Sequence, residues 1–138
     1  MSGNNGLGDS TGTGDYGAIT VNANEAISAG DFVALDQTAS GNRAPQAVQL
    51  DNGSTDEDQL LGVASADISS GADGTVQVSG GVIANVASGI SPGERLGSGA
   101  TAGRAASEDG GHAVALSDEG GTDRIGTNLD GNEAEVLL

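Results

Sequence analysis

The sequence predicts an all-β protein, a compact small β-barrel or β-sandwich that follows a flexible N-terminal arm. Apolar segments of roughly four to eight residues recur at intervals of roughly 8–15 residues, each bounded by Gly, Asp, Asn or Ser. The chain lacks a convincing 3.6-residue apolar period over any window of about 11 residues or more. Most of the 25 glycines fall between the apolar segments, where turns require positive φ.

The predicted strands begin at Tyr16 and continue to the C-terminus. In the first, Ile19 and Val21 alternate with Ala18 and Thr20, as expected for a half-buried strand. The others are FVALDQ (32–37), QAVQL (46–50), LLGVASA (60–66), TVQVSG (75–80), GVIANVA (81–87), HAVAL (112–116), DRIGTNL (123–129) and AEVLL (134–138). The best helical candidate, VASADISSGADG (63–74), is weak because it is rich in Ser, Asp and Gly.

Residues 1–15 form the predicted arm, with five glycines and Leu7 as the one large apolar side chain besides Met1. The arm is either a terminus without a role or a segment that becomes ordered on a partner. It lacks the apolar core of a secretory signal. Residues 16–138 are predicted to form a single all-β domain.

A repeated phrase suggests an internal duplication of residues 18–35 and 81–98. AITVNANEAISAGDFVAL and GVIANVASGISPGERLGS align without a gap and share the pattern Ile-Ser-x-Gly-acid. Each copy predicts a strand, a turn and a second strand, with Gly30 and Asp31 in the first turn and Pro92 and Gly93 in the second. Pro followed by Gly is typical of a type II turn. The alternative is that a β-protein simply reuses a favourable turn.

The charge is strongly one-sided, with 20 acidic residues, four arginines, no lysine and a net charge of −16. Such a chain repels itself in dilute buffer, whereas molar salt shortens the Debye length to roughly 3 Å. Val, Ile, Leu and Phe make up only 27 of the 138 residues, so the core must use small apolar side chains. These features favour an extreme halophile or its virus; an ordinary acidic bacterial protein and a salt-requiring disordered chain are the alternatives.

The composition argues against most catalytic chemistry. With no Cys or Lys, the chain lacks thiolates, disulfides, Schiff bases and the lysine of a P-loop. His112 is the single histidine, and we interpret it as a surface residue at a strand start rather than part of a triad. The acidic segment 51–59 lacks the spacing of an EF-hand loop, so solvated turns are favoured over a cation site. We therefore expect no catalytic residue, cofactor or metal.

Two further classes of partner are disfavoured, and the arginines are assigned a structural role. Nucleic acid requires a basic surface, and no apolar run approaches the roughly 18 residues of a membrane span. In so acidic a chain, the arginines Arg43, Arg95, Arg104 and Arg124 are expected to pair with carboxylates, within the fold or across a subunit contact. Arg95 stands where the first copy of the phrase has Phe32.

The order of these motifs resembles the small cement, or decoration, proteins of tailed double-stranded DNA virus capsids. The matching features are a Gly-acid-x-Val turn, a Leu-Gly-Val-Ala strand, a Gly/Val-alternating hairpin and a second Gly-containing turn. The residues concerned are Gly30, Asp31, Val33, Leu61, Gly62, Val63, Ala64, Gly74, Val76, Val78, Gly80, Val82, Gly93 and Leu96. The resemblance covers roughly residues 18–116; the acidic segment 51–59 and the extreme acidity depart from the usual pattern.

This resemblance implies a β-tulip-like fold, a homotrimer and a non-enzymatic role on the outer surface of the virion. The chain would bind the major capsid protein at subunit junctions and stabilise the shell. The arm and the start of the domain would then supply the capsid contacts, through Ser2, Gly3, Asn4, Asn5, Gly6, Leu7 and Tyr16. The alternatives are another virion component, such as a spike, vertex or tail part, and a ligand-binding β-module of a cell-surface protein.

Overall fold

The computed structural model describes residues 17–37, 45–53 and 59–138, and within these ranges the chain is all-β, as predicted. The described residues contain ten strands and no helix. The strands are β1 Ala18–Ala23, β2 Phe32–Leu35, β3 Gln46–Gln49, β4 Leu60–Ala64, β5 Asp73–Gln77, β6 Gly81–Asn85, β7 Arg95–Ser98, β8 Ala105–Ser107, β9 Ala113–Ala115 and β10 Glu133–Leu137. The described residues therefore include no helix that is long and apolar enough to cross a membrane.

The first half of the chain closes into a five-stranded barrel in the order β1-β3-β2-β4-β5. Four of its pairings are antiparallel, and β1 with β3 is parallel. Alternate side chains point into the barrel, where Val21, Val33 and Val76 are fully buried. The interior thus consists of small aliphatic side chains, as the composition predicts.

The second half repeats this set of strand pairings. β6 pairs with β10, β10 with β9, β9 with β7, and β7 with β8, all antiparallel. A single parallel bridge, Val86 to Ala105, stands where the first half pairs β1 with β3. The registers agree as well. Ala18 and Gly81 are the first residues of β1 and β6, and they lie opposite Gln77 and Leu137, the last residues of β5 and β10. The likeness therefore extends beyond the repeated phrase to the whole of both halves.

The two halves differ in how their interiors are filled. The beginning of β2 enters the second half, where the Asn85 N–H donates to the Gly30 carbonyl and the Phe32 N–H donates to the Gly103 carbonyl, both at 2.8 Å. Phe32 is fully buried in a cluster with Leu96 and other second-half side chains. The outer face of the first barrel therefore completes the core of the second half.

One local prediction is wrong. DRIGTNL (123–129) is not a strand but a loop, because the Asp123 carboxylate accepts the backbone N–H groups of Ile125 and Thr127 at 3.0 and 2.8 Å. The segment 63–74, judged a weak helical candidate, forms no helix and contains the end of β4, a bridge from Ile68 to Ile27, and the start of β5. The short strand β8 is absent from the predicted set because its sequence, AAS, carries no apolar alternation.

Candidate functional site

The repeated phrase folds into the same turn in both halves. In the first copy the Asp31 N–H donates to the Ser28 carbonyl at 3.0 Å, and the Asp31 carboxylate accepts the Ser28 N–H at 2.9 Å. In the second copy the Glu94 N–H donates to the Ser91 carbonyl at 3.2 Å, and the Glu94 carboxylate accepts the Ser91 N–H at 2.9 Å. The acid thus closes the turn through both its backbone and its side chain.

The glycine of the phrase supplies the backbone angle that this turn needs. Gly30 has φ +85° and Gly93 has φ +90°, each immediately before the acid. A side chain in this left-handed region would be strained. Pro92 precedes Gly93 at the position whose φ proline fixes, as in a type II turn. The sequence pattern Ser-x-Gly-acid therefore specifies the same hydrogen-bonded turn in both copies.

A third turn near the C-terminus uses the same reciprocal pair. The Glu133 N–H donates to the Asp130 carbonyl at 3.1 Å, and the Glu133 carboxylate accepts the Asp130 N–H at 3.1 Å. Its left-handed position is held by Asn132, with φ +65°, the only non-glycine residue of positive φ in the described part of the chain. Asn tolerates this region better than most residues.

Asp31 also holds the junction between the halves, and sequence reasoning missed this second role. Its side chain is buried, and its carboxylate accepts hydrogen bonds from Gln49 Nε2 at 2.8 Å and Asn85 Nδ2 at 2.9 Å. Gly103 lies so close that a Cβ there would come within 2.7 Å of the carboxylate carbon. Glu94, the equivalent acid, is only half-buried. No local sequence signal distinguishes the two acids, since the difference comes from the packing of the halves.

A second acid ties together the loops at one end of the second half. Glu119 accepts the Gly89 N–H on Oε1 at 3.1 Å and the Asn132 N–H on Oε2 at 2.8 Å. These two backbone hydrogen bonds, that of Asn132 first, lower the pKa of Glu119 below its ordinary value of 4.5. The charged carboxylate thus links the two loops.

The outer face of the second half carries a row of side chains that we call the open face. Gly81, Leu137, Val114 and Arg95 face one another in register across β6, β10, β9 and β7. Directly opposed residues of antiparallel strands share one face of a sheet. Leu137 is 45% exposed, Val114 is half-buried, and Arg95 is exposed. This face therefore presents apolar side chains to solvent beside a guanidinium group.

Arg124 borders the open face from the loop after β9. Its side chain is 67% exposed, and its guanidinium Nε pairs with the buried carboxylate of Glu135 in β10. One of its terminal nitrogens lies 3.0 Å from the place where a Cβ of Gly81 would stand. Ile125, the next residue, is 87% exposed at the tip of the same loop. The expected pairing of an arginine with a carboxylate is confirmed for Arg124.

In the described part of the chain, Arg95, Arg104 and His112 show no such arrangement. Arg95 has no carboxylate partner among the described residues, and its guanidinium donates only to the Gly111 carbonyl at 3.4 Å. His112 directly precedes β9 and is exposed, beside a cleft of about 170 Å³ that Glu108 and Asp109 also line. Within the described ranges, no three His, Asp or Glu side chains are grouped so that they could hold a metal ion.

The predicted capsid-contact residues lie outside the described residues. Ser2, Gly3, Asn4, Asn5, Gly6, Leu7 and Tyr16 all belong to this part of the chain, as does Arg43. The acidic segment 51–59 is described only at its ends, where the Asp51 carboxylate accepts the Gly53 N–H at 2.9 Å.

Comparison with known proteins gives a matching family and a solved structure with a similar fold. A family model for phage cement proteins matches residues 11–129. A crystal structure of the head fiber gp8.5 N base of bacteriophage phi29 superimposes with a TM-score of 0.56 at 16% identity, covering 88% of this chain and 92% of that one. At this identity the superposition indicates a shared fold. No curated protein sequence matches the chain significantly.

Proposed function

The chain belongs to the phage cement protein family, and we propose that it decorates the outer surface of a tailed phage capsid and stabilises the shell. In this proposal each copy binds the major capsid protein where shell subunits meet. The observation that carries the proposal is the match of the family model over residues 11–129, most of the chain. A head fiber base, the structure that shares the fold, also belongs to the phage head.

The physical character of the chain supports a mechanical rather than a catalytic role. Its backbone is tied by turns in which Asp31, Glu94, Glu119 and Glu133 accept backbone N–H groups. A small, rigid β-domain of this kind is suited to bridge two subunits and to resist their separation. We propose that it performs no catalysis and requires no cofactor.

We further propose that the chain acts as a homotrimer and that residues 1–15 contact the shell. A chain with so small an apolar fraction gains stability when it buries surface in an oligomer and on a capsid. A Gly-rich arm can add a strand to a sheet edge through its main chain alone. Deleting residues 1–15 should abolish shell binding while the folded domain persists; unchanged binding would refute the role of the arm.

The proposal is tested by counting copies in the virion. The ratio of this chain to the major capsid protein should be measured in purified particles by quantitative mass spectrometry. A ratio of order one supports a decoration protein that covers the lattice. A handful of copies per particle would instead indicate a vertex, spike or tail component, and absence from particles would refute a virion role.

We also propose that the virus infects an extreme halophile, which the net charge of −16 and the absence of lysine support. Unfolding should be followed by circular dichroism while NaCl is lowered from molar concentration to about 50 mM, where screening becomes weak. Loss of the β-sheet signal at low salt is expected. A fold that persists unchanged would contradict the halophilic origin.

A further inference from the structure

We propose that the open face (Gly81, Leu137, Val114 and Arg95), with Arg124 at its border, is the surface by which the folded domain docks on the capsid. The expected partner is a capsid-protein surface with an apolar centre and a carboxylate placed to meet Arg95. This inference rests on the proposed function and assigns it a specific surface.

The likeness of the strand pairings in the two halves supplies the first argument. The row in the first half that corresponds to the open face consists of Ala18, Gln77, Val63 and Phe32, in the same register across β1, β5, β4 and β2. There Val63 and Phe32 are fully buried, because the second half packs on them. The same face of the same strand arrangement is therefore a packing surface in one half, whereas in the other the described residues cover it beside Gly81, where Arg124 lies, and leave Leu137 and Arg95 exposed.

The exposure of the open face supplies the second argument. Leu137 is 45% exposed although its neighbour Val136 is fully buried on the inner face. Val114 is half-buried beside it. Ile125 adds an apolar tip at 87% exposure, and Asp123 holds its loop through hydrogen bonds to the Ile125 and Thr127 N–H groups. An apolar group held in a fixed position binds without a large cost in ordering.

Charge decides the kind of partner. The chain carries 20 acids and four arginines, and two of those arginines stand at this face. The charge of Arg124 is balanced by Glu135, whereas no described carboxylate pairs with Arg95. Arginine forms strong two-pronged hydrogen bonds with carboxylates and is enriched in protein interfaces. A partner surface with an acidic group beside apolar side chains complements this arrangement.

The test compares two leucines that lie in different halves. Leu137 and Leu35 each end a strand, at 45% and 41% exposure, and only Leu137 belongs to the open face. Leu137→Glu and Leu35→Glu are prepared in the full chain, together with Arg95→Glu. Binding to shells assembled from the major capsid protein of the same virus is measured by sedimentation at molar salt. Circular dichroism verifies the fold of each variant.

We expect Leu137→Glu and Arg95→Glu to bind at least about tenfold more weakly than the wild type, and Leu35→Glu to bind like the wild type. If the wild type binds shells and Leu137→Glu and Arg95→Glu bind no more weakly than Leu35→Glu, the docking surface is refuted and the proposed function stands. Failure of the wild type to bind shells would refute the proposed function itself. If the two open-face variants bind shells normally but lose self-association in analytical ultracentrifugation, the face meets a second copy and the proposal is wrong.

Discussion

The two halves of this protein show how one strand arrangement gives a closed barrel in one setting and an open one in another. In the first half, β1 pairs with β3 over two residues and the interior is sealed by its own side chains. In the second half, the equivalent contact shrinks to the bridge from Val86 to Ala105, and Phe32 of the first half fills the interior. The same strand order is thus closed in the half that packs on its own side chains and open in the half whose core includes side chains of the other half.

A single position carries much of this difference. Phe32 and Arg95 follow the acid of the repeated turn in the two copies, so they occupy the same place in the pattern. Phe32 is fully buried between the halves, whereas Arg95 is exposed on the open face. The same position of the pattern thus makes an internal contact in the first half and is exposed in the second.

The largest effect is expected from removing the inserted side chain. Phe32→Ala should lower the free energy of unfolding by about 3–5 kcal/mol, because it leaves a cavity at the junction of the halves. Denaturant unfolding at molar salt measures the total loss. Hydrogen exchange locates it, and we expect β10 amides to lose more protection than β5 amides. Equal loss in both strands would show that Phe32 does not distinguish the halves.

Crowding that junction should cost less. Gly103→Ala places a Cβ within 2.7 Å of the Asp31 carboxylate carbon, at φ +82°. Gly93→Ala is the matched control, since it has φ +90° and no neighbour within 4 Å. Both variants are strained, but Gly103→Ala should be less stable than the control by about 1–3 kcal/mol in urea unfolding. Equal losses would mean that Asp31 can move aside freely.

The two equivalent acids should differ by a smaller amount. Asp31→Asn disturbs hydrogen bonds from Ser28, Gln49 and Asn85, whereas Glu94→Gln disturbs one from Ser91. We expect Asp31→Asn to lose about 1–2 kcal/mol more in the same unfolding measurement. Similar losses would indicate that Asp31 acts only within its own turn.

The smallest effect concerns Glu119 in the second half and depends on pH. Its folded-state pKa is lowered, so its charged form stabilises the protein above pH 4.5, and this contribution is lost as the pH falls through the folded-state pKa. Glu119→Gln should therefore lower the urea midpoint slightly at pH 7, and the difference from wild type should shrink at pH 3. A difference that is constant with pH would contradict this role of the charge.

The sequence by itself determined the all-β class, the small aliphatic core and the turns. These features are local. The Ser-x-Gly-acid phrase folds alike twice because its hydrogen bonds, from Ser28 to Asp31 and from Ser91 to Glu94, close within four residues. Alternation of apolar residues marks a strand regardless of its partner, as with Ile19, Val21 and Ala23 in β1.

The tertiary structure alone decided which strands close a barrel, which acid is buried and which face is left open. Asp31 and Glu94 read alike in the sequence, but only Asp31 meets a side chain 54 positions away, that of Asn85. Such outcomes depend on contacts between segments far apart in the chain, whose energies a local pattern does not record.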